Sequence, residues 1–452
     1  MAYSFSLSLL PLRLRQSFPP SPLLAFATHV FLLSLIWQLC VSSTSSPLLN
    51  VWRYTSPRLS QPPSLSFSTL TAFCCGFQQQ NLFFLFGGVL NFNTSDWSKN
   101  IWEAAFNTSS EAWIFDSHSL NWQLSSPTPP PPLTWPSARA AHTVNIFSLN
   151  DVAPNTFFSS NSSYDSVAVL VGGIASGPVV FGDVWVMHIH QTLVVDVLNA
   201  TTPAPSGAPS ARWAHSSLVL NNSLYLAGGF DAWGAGTVDV WVARLALSVL
   251  CKHQPCSAFN LSNVTDPTTL LSWTRLVGTA PGPAPRGFFF LSIWKATALI
   301  LAGGWGSFNS SSAVLDDTWS LQLSPSADEG VWSLTSATIA LAGGAAVALP
   351  TNNQLYVPMA VWGTHQPASI ALASGTFTQS RNSSYIFNGS AWLQIKSVFL
   401  DSTNFYPLLS SAAACVDNSI YLYGGYDTFR GITSQMLYIG EVWSSLWGNG
   451  KF

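Results

Sequence analysis

Short, uninterrupted apolar runs punctuate the chain, and each ends at a pair of glycines. LFFLF precedes Gly87-Gly88, VAVLV precedes Gly172-Gly173 and LYLA precedes Gly228-Gly229. ALILA precedes Gly303-Gly304, and IYLY precedes Gly424-Gly425. Runs of this length, bounded by turn residues, predict strands buried on both faces. A glycine pair lets the backbone turn where a Cβ would clash. After each pair comes a variable polar loop, then a strand with an aromatic: DVWVMHI at Trp185, VDVWVARL at Trp241 and DDTWSLQL at Trp319. A further Trp marks a last strand: Trp122 in NWQLSS, Trp273 in SWTRLVG, Trp332 in VWSLTS and Trp392 in AWLQIKS. FFFLSIWKATALILAGG carries Lys295 and reads as two strands.

The lead-ins to these units also repeat. Arg139-x-x-His142-Thr143 returns as Arg212-x-x-His215-Ser216, and Pro285-Arg286 begins a third copy without the histidine. One Arg and one His so close suggest a catalytic pair. Repeated, they suggest structural hydrogen bonds between backbone segments. Six units of four strands are expected, over about 65–125, 138–198, 212–276, 286–335, 340–396 and 405–447. The fifth departs from the pattern: LYVPMAVWG stands where a strand and a double glycine belong, with Gly343-Gly344 nearby. The second lacks its final Trp.

One such sheet cannot bury its faces alone, so units of this kind stack radially, with Trp side chains filling the space between twisted sheets. The double glycines, the aromatic on the third strand, the Trp on the fourth and the Pro-Arg or Ser-Ala-Arg lead-in resemble the kelch repeat, over residues 47–447. The resemblance implies an all-β fold: a six-bladed kelch-type β-propeller with four-stranded blades. NVWRYTSPRLSQPPSLSF, from Asn50, reads like the end of a unit. Val51–Thr55 is therefore expected to supply the outer strand of the last blade, closing the ring and removing a sheet edge. Closure would set Cys74 or Cys75 beside Cys415, where a disulfide is geometrically open.

Composition adds a compartment. Of 452 residues, 48% are hydrophobic and only 8% charged, against about 25% charged in ordinary domains. The net charge of -3 gives no reason to expect nucleic acid or an anionic membrane as partner. Arg13 and Arg15 precede LLAFATHVFLLSLIWQLCV and then Val41-Ser42-Ser43. Residues 1–43 read as a signal peptide, or as a retained anchor of a type II membrane protein, since the apolar stretch nearly spans a bilayer. Membrane association is expected only in the second case, and residues 448–452 form a short tail.

Glycans would then replace charge as the source of solubility. Asn-x-Ser/Thr occurs at Asn93, Asn107, Asn161, Asn199, Asn221, Asn260, Asn263, Asn309, Asn382 and Asn388, mostly in stretches that read as loops. Asn221-Asn222 also reads as a tight, solvent-facing turn between two strands. Cys251 and Cys256 bracket KHQP and suit a local disulfide in an oxidising compartment; a metal site with His253 is the sharper alternative and lacks further ligands at zinc spacing.

Other candidate chemistry dissolves into the repeat. SSPTPPPPLTWP, from Ser125, reads as a stiff spacer. His188-Ile-His190 shares a strand face, with no third zinc ligand evident, and reads as two outward polar positions. Asp316-Asp317, like Asp183 and Asp239, stands just before a third strand and reads as loop or turn capping. Galactose-oxidase-like copper enzymes share the kelch-type propeller and use an adjacent Tyr-His; no such pair occurs here, nor a Gly-x-Ser-x-Gly elbow. The expected function is a secreted or lumenal binding module for a protein or glycan, without cofactor. The longest insertions, around 89–111, 148–165 and 246–270, are the candidate contact or decoration regions. An enzyme with a site dispersed over loops is the alternative.

Overall fold

The computed structural model describes residues 49–443 apart from intervening segments, of which 93–105, 149–164, 247–260 and 363–382 are the longest. The proposed signal segment and the tail, 1–43 and 448–452, lie outside the described residues. Between Leu49 and Trp443 the described elements are strands, apart from a single 3-10 turn at Pro267–Thr269.

Antiparallel strands follow one another in groups of four. The first group is Thr69–Cys75, Gln80–Phe86, Ala112–Asp116 and Asn121–Leu124. The second is Thr143–Ser148, Asp165–Val171, Val184–His190 and Leu193–Asn199. The third is Ser216–Leu220, Ser223–Ala227, Val240–Leu245 and Leu271–Arg275. The fourth is Phe290–Trp294, Ala298–Ala302, Asp317–Leu323 and Glu329–Thr338, with Val277–Thr279 added in parallel on its edge. Val347–Leu349, Gln354–Val357, Ser383–Phe387 and Trp392–Phe399 form the fifth group. In the sixth, Ala412–Val416, Ser419–Tyr423 and Leu437–Trp443 are joined by Leu49–Thr55, which pairs antiparallel with Leu437–Trp443.

That N-terminal strand behaves like the outer strand of the fourth sheet. Leu49–Trp52 also pairs in parallel with Lys396–Phe399 at the end of the fifth sheet. Val277–Thr279, following the third sheet, pairs in the same way with Glu329–Val331. Asn50-Val51-Trp52 and Gly330-Val331-Trp332 thus hold equivalent register positions.

The second strand of each sheet is apolar over the residues that lead up to its end because both of its faces are covered there. In Gln80–Phe86, Leu82, Phe84 and Phe86 pack with Ala168, Leu170 and Met187 of the second sheet. The alternate residues Phe83 and Leu85 pack with Tyr421 and Tyr423 of the sixth. Val167, Val169 and Val171 meet Leu224, Leu226 and Ala243, and Tyr225 and Val242 meet Leu299, Leu301 and Trp319. Each first strand lies beside that of the next sheet, and Ala412–Val416 lies beside Thr69–Cys75. The outer-strand Trp residues fill these seams: Trp122 stacks near Tyr423, ring centroids 4.9 Å apart, and the Trp392 indole donates to Thr318 across the fourth and fifth sheets.

Candidate functional site

Antiparallel topology sorts the connections by end. Turns from first to second and from third to fourth strand lie at one end of each sheet. The double glycines, the loops after them and the lead-ins to the next sheet lie at the other. At this glycine end three arginines are buried. The Arg139 guanidinium donates to both carboxylate oxygens of Asp183, at 2.5 and 2.7 Å, and to the Gly172 carbonyl at 3.0 Å. Arg212 does the same with Asp239 and Gly228, and Arg286 with Asp317 and Gly303. In each case the Nε–H donates to a carbonyl two residues back. The indole of the residue two past each aspartate, Trp185, Trp241 or Trp319, donates to the same carboxylate at 2.6–2.7 Å. These are bidentate, charge-assisted bonds in which Nε, Nη1 and Nη2 all donate. Burial alone would raise the Asp239 carboxyl. The bonds and charge of Arg212, with Thr237 and Trp241, override it and hold the pKa at about 2. Asp317 is lowered against burial in the same way, by Arg286 and Trp319.

The glycine pairs are the sockets into which the next sheet locks. The Gly173 N–H donates to the Arg212 carbonyl at 2.9 Å, Gly88 to Arg139 at 2.8 Å and Gly229 to Arg286 at 2.8 Å. A Cβ on Gly172 would stand 2.5 Å from the Arg212 carbonyl oxygen and 3.0 Å from the His215 ring, and its φ of +60° suits glycine besides. His142 occupies the matching place over Gly87, and Phe289 that over Gly228. Both histidines are buried. Desolvation first, then the nearby Arg212, pull His215 down to about 3. Desolvation, Arg139 and His215 lower His142 in the same direction.

Next to these anchors in sequence runs a row of left-handed residues joined from one lead-in to the next. Ala141, Ala214 and Phe288 have φ of 50°, 54° and 53°, and Gly343 has 73°. The N–H of Ala214 donates to the carbonyl of Ala141, Phe288 to Ala214, and Gly343 to Phe288, at 2.8–3.1 Å. A bulky residue in that region is uncommon and is tolerated only where its surroundings over-determine it. Phe288 is so held: its ring lies 5.7 Å from Trp213 and 5.5 Å from Trp305, edge-on to both, with Phe230 at 6.4 Å. Beside this strip the loop 231–235 closes on itself. Asp231 Oδ1 accepts from the N–H groups of Trp233 and Ala235, the Asp231 N–H donates to the Ala235 carbonyl, and the Trp213 indole donates to the Asp231 carbonyl. This hydrogen-bonded loop presents Trp233, 80% exposed.

No family model matches the chain. The chain is similar to an F-box/kelch-repeat protein of Arabidopsis thaliana. The two are 26% identical over 204 residues, which cover 44% of this chain and 34% of the relative. The chain thus matches about a third of that curated relative's length. The likeness and the all-strand architecture both point to kelch-type repeats.

Within those repeats the sequence-predicted residues fall as follows. Gly87, Gly172, Gly228, Gly303 and Gly424 each follow directly on a second strand, with Gly88, Gly173, Gly229, Gly304 and Gly425 next. Trp122, Trp273, Trp332 and Trp392 lie on outer strands. In the fifth unit Ala342 pairs with Val361, as Trp213 pairs with Phe230, so Met359-Ala360 hold the double-glycine place in sequence and Gly343-Gly344 belong to the lead-in. His188 is not outward: it is buried with every residue from Val184 to Ile189, because neighbouring sheets cover both faces of this strand up to its last residue, His190, which is half-buried. Asp183, Asp239 and Asp317 are not loop caps but the acceptors of buried arginines. Asn107, Asn199, Asn221 and Asn388 are exposed. Asn221 and Asn222, with φ of 49° and 58°, make the two-residue hairpin turn that Leu220↔Ser223 closes. Asn93, Asn161, Asn260, Asn263, Asn309 and Asn382, like Cys251, His253 and Cys256, lie outside the described residues. Insertion 89–111 belongs to the glycine end, whereas 148–165 and 246–270 belong to the opposite one, so they do not share a face. Among the described residues, no group of three or more His, Cys, Asp or Glu could hold a metal ion.

Proposed function

We propose that this chain is a six-bladed kelch-type β-propeller, closed by Leu49–Thr55, that binds a protein partner at its glycine end. Three features support the ring: the succession of neighbouring first strands, the pairing of Leu49–Thr55 with Leu437–Trp443, and the packing of Phe83 and Leu85 on Tyr421 and Tyr423. The observation that carries the binding reading is Trp233. The bonds that close the 231–235 backbone leave it less loop entropy to lose on association, and Trp is enriched among residues that dominate interface energies. The Trp213–Phe230–Phe288–Trp305 strip gives it a firm base.

A photo-crosslinking residue at position 233 tests this, with one at the exposed outer-strand position 334 as control. Crosslinking to a partner at 233 and not at 334, followed by a tenfold or greater loss of binding of that purified partner by W233A, supports the reading. Equal crosslinking at both positions, or unchanged binding by W233A, overturns it.

The secretory route, glycosylation and the Cys251–Cys256 disulfide belong to the same proposal. The exposure of Asn107, Asn199, Asn221 and Asn388 supports it, as does a charged fraction of only 8%. Enzymatic deglycosylation should raise gel mobility, and N-terminal sequencing of the mature chain should begin after residue 43. An unchanged mobility overturns the glycan reading, and a retained 23–43 segment turns a secreted protein into an anchored one.

A further inference from the structure

We propose that the first sugar of a glycan on Asn388 lies against the Trp294 indole, so that carbohydrate completes the seam between the fourth and fifth sheets. This rests on the glycan reading above and gives one of its acceptors a structural task. Asn388 opens the turn between the third and fourth strands of the fifth sheet, where Phe387 pairs with Trp392. Trp294 ends the first strand of the fourth sheet. Both therefore lie at the end of their sheets opposite the double glycines.

The turn fixes the acceptor. Asn388 Oδ1 accepts from the N–H groups of Ser390 and Ala391, at 3.0 and 2.9 Å, and from the Ser390 hydroxyl at 3.0 Å. Three donors hold the amide by its oxygen, which leaves Nδ2, the atom that carries a glycan, on the other side of Cγ of an exposed residue. The middle residue of the acceptor, Gly389, meets the Trp294 ring. A Cβ there would stand 2.6 Å from Cζ2 of the indole, at a φ of +100°, so only glycine lets the ring come this close.

The indole is half-buried. It packs on Phe387, ring centroids 5.3 Å apart, which in turn meets Trp392 at 5.2 Å. Lys295 reaches over the ring with Nζ 5.5 Å from its centroid, near the outer limit of such contacts. A half-wet indole at the foot of an acceptor offers an apolar face to the C–H groups of a sugar, and covering that face removes it from water. In the attachment, Asn388 Nδ2 bonds to the anomeric carbon of a lipid-linked oligosaccharide. The lipid pyrophosphate leaves, and Nδ2 gives up one proton. The turn then sets where the first sugar lies, and Lys295 yields its place over the ring.

Glycopeptide mass spectrometry of the purified protein, with timed release by peptide N-glycosidase under native conditions, tests this in the native chain and in W294A. Asn388 should be occupied, and its release should be about three- to tenfold faster in W294A, the span that one aromatic contact commands. Release at Asn107, which belongs to the glycine end, should not change. A second readout leaves the ring untouched and decides the matter even if W294A does not fold. By NMR, one N-acetyl methyl signal of the native glycoprotein should be displaced upfield by the indole. S390A, which removes the acceptor and keeps Trp294, should abolish that signal. A bare Asn388 beside other occupied sites, release at Asn388 unchanged by W294A, equal acceleration at Asn107, or no displaced methyl signal would overturn the proposal and leave the glycan reading standing. A chain without any glycan overturns both.

Discussion

The second, third and fourth sheets are led in by a buried arginine; the fifth and sixth carry leucine at the same place. Leu341 accepts from Gly304 with its carbonyl, as Arg139, Arg212 and Arg286 accept from Gly88, Gly173 and Gly229. Leu409 pairs with Tyr426 as Trp213 pairs with Phe230, which puts Leu408 in the arginine position. Met436 then precedes the third strand of the sixth sheet where the arginine-led sheets have aspartate. In the sixth unit's sequence, arginine and aspartate are thus exchanged together. A guanidinium without its carboxylate is a stranded charge, whereas replacing both partners by apolar residues strands nothing. The backbone bond from the second glycine to the carbonyl of the following lead-in is constant across Arg139, Arg212, Arg286 and Leu341.

The largest effect should come from that constant. Gly172→Ala drives a Cβ against the Arg212 carbonyl at a positive φ and should cost about 3–5 kcal/mol by urea unfolding. Nearly as damaging is Arg212→Leu alone, which leaves Asp239 without its partner; about 3 kcal/mol or more is expected. Adding Asp239→Met, the combination of the sixth sheet, should recover most of that loss, and a double variant no better than the single would break the comparison. A smaller term is the pH dependence of the pair. With its pKa held at about 2, Asp239 contributes stability that is complete above the ordinary carboxylate value and is lost as the pH falls towards 2. The gap in unfolding free energy between the native chain and D239N should narrow by about 1 kcal/mol from pH 5 to pH 3. W233A sharpens the contrast from the other side. It should change stability by less than about 0.5 kcal/mol, because the side chain is 80% exposed and the Asp231 carboxylate closes the 231–235 backbone.

Much of this architecture is visible in the sequence because its devices are local and repeated. The apolar runs end at glycines, and the tryptophans recur on outer strands. The buried role of Arg212 follows from Arg139. What escaped was the partner of the arginines, although Asp-x-Trp recurs at 183–185, 239–241 and 317–319 and Glu111-x-Trp113 echoes it. That partner lies 27–44 residues away, a distance no local pattern spans. The reading of His188 failed for a related reason: strand alternation assigns an outward face, and here both faces are inward. Phe288, Trp305 and Trp233 carry no shared spacing at all, so the aromatic strip is legible only once the sheets are assembled.

The strand Leu49–Thr55 completes a sheet whose nearest antiparallel partner is Leu437–Trp443. During synthesis at about 5–20 residues per second, the earlier strand must therefore wait roughly 20–80 seconds for its mate to be made. Through that interval a seven-residue segment, LNVWRYT, is without its antiparallel neighbour, and the same edge that later fastens the structure is a liability to a nascent chain. A circularly permuted gene that places this strand after Trp443 would shorten the delay to the length of one turn, and its yield at high expression temperature should exceed that of the natural order.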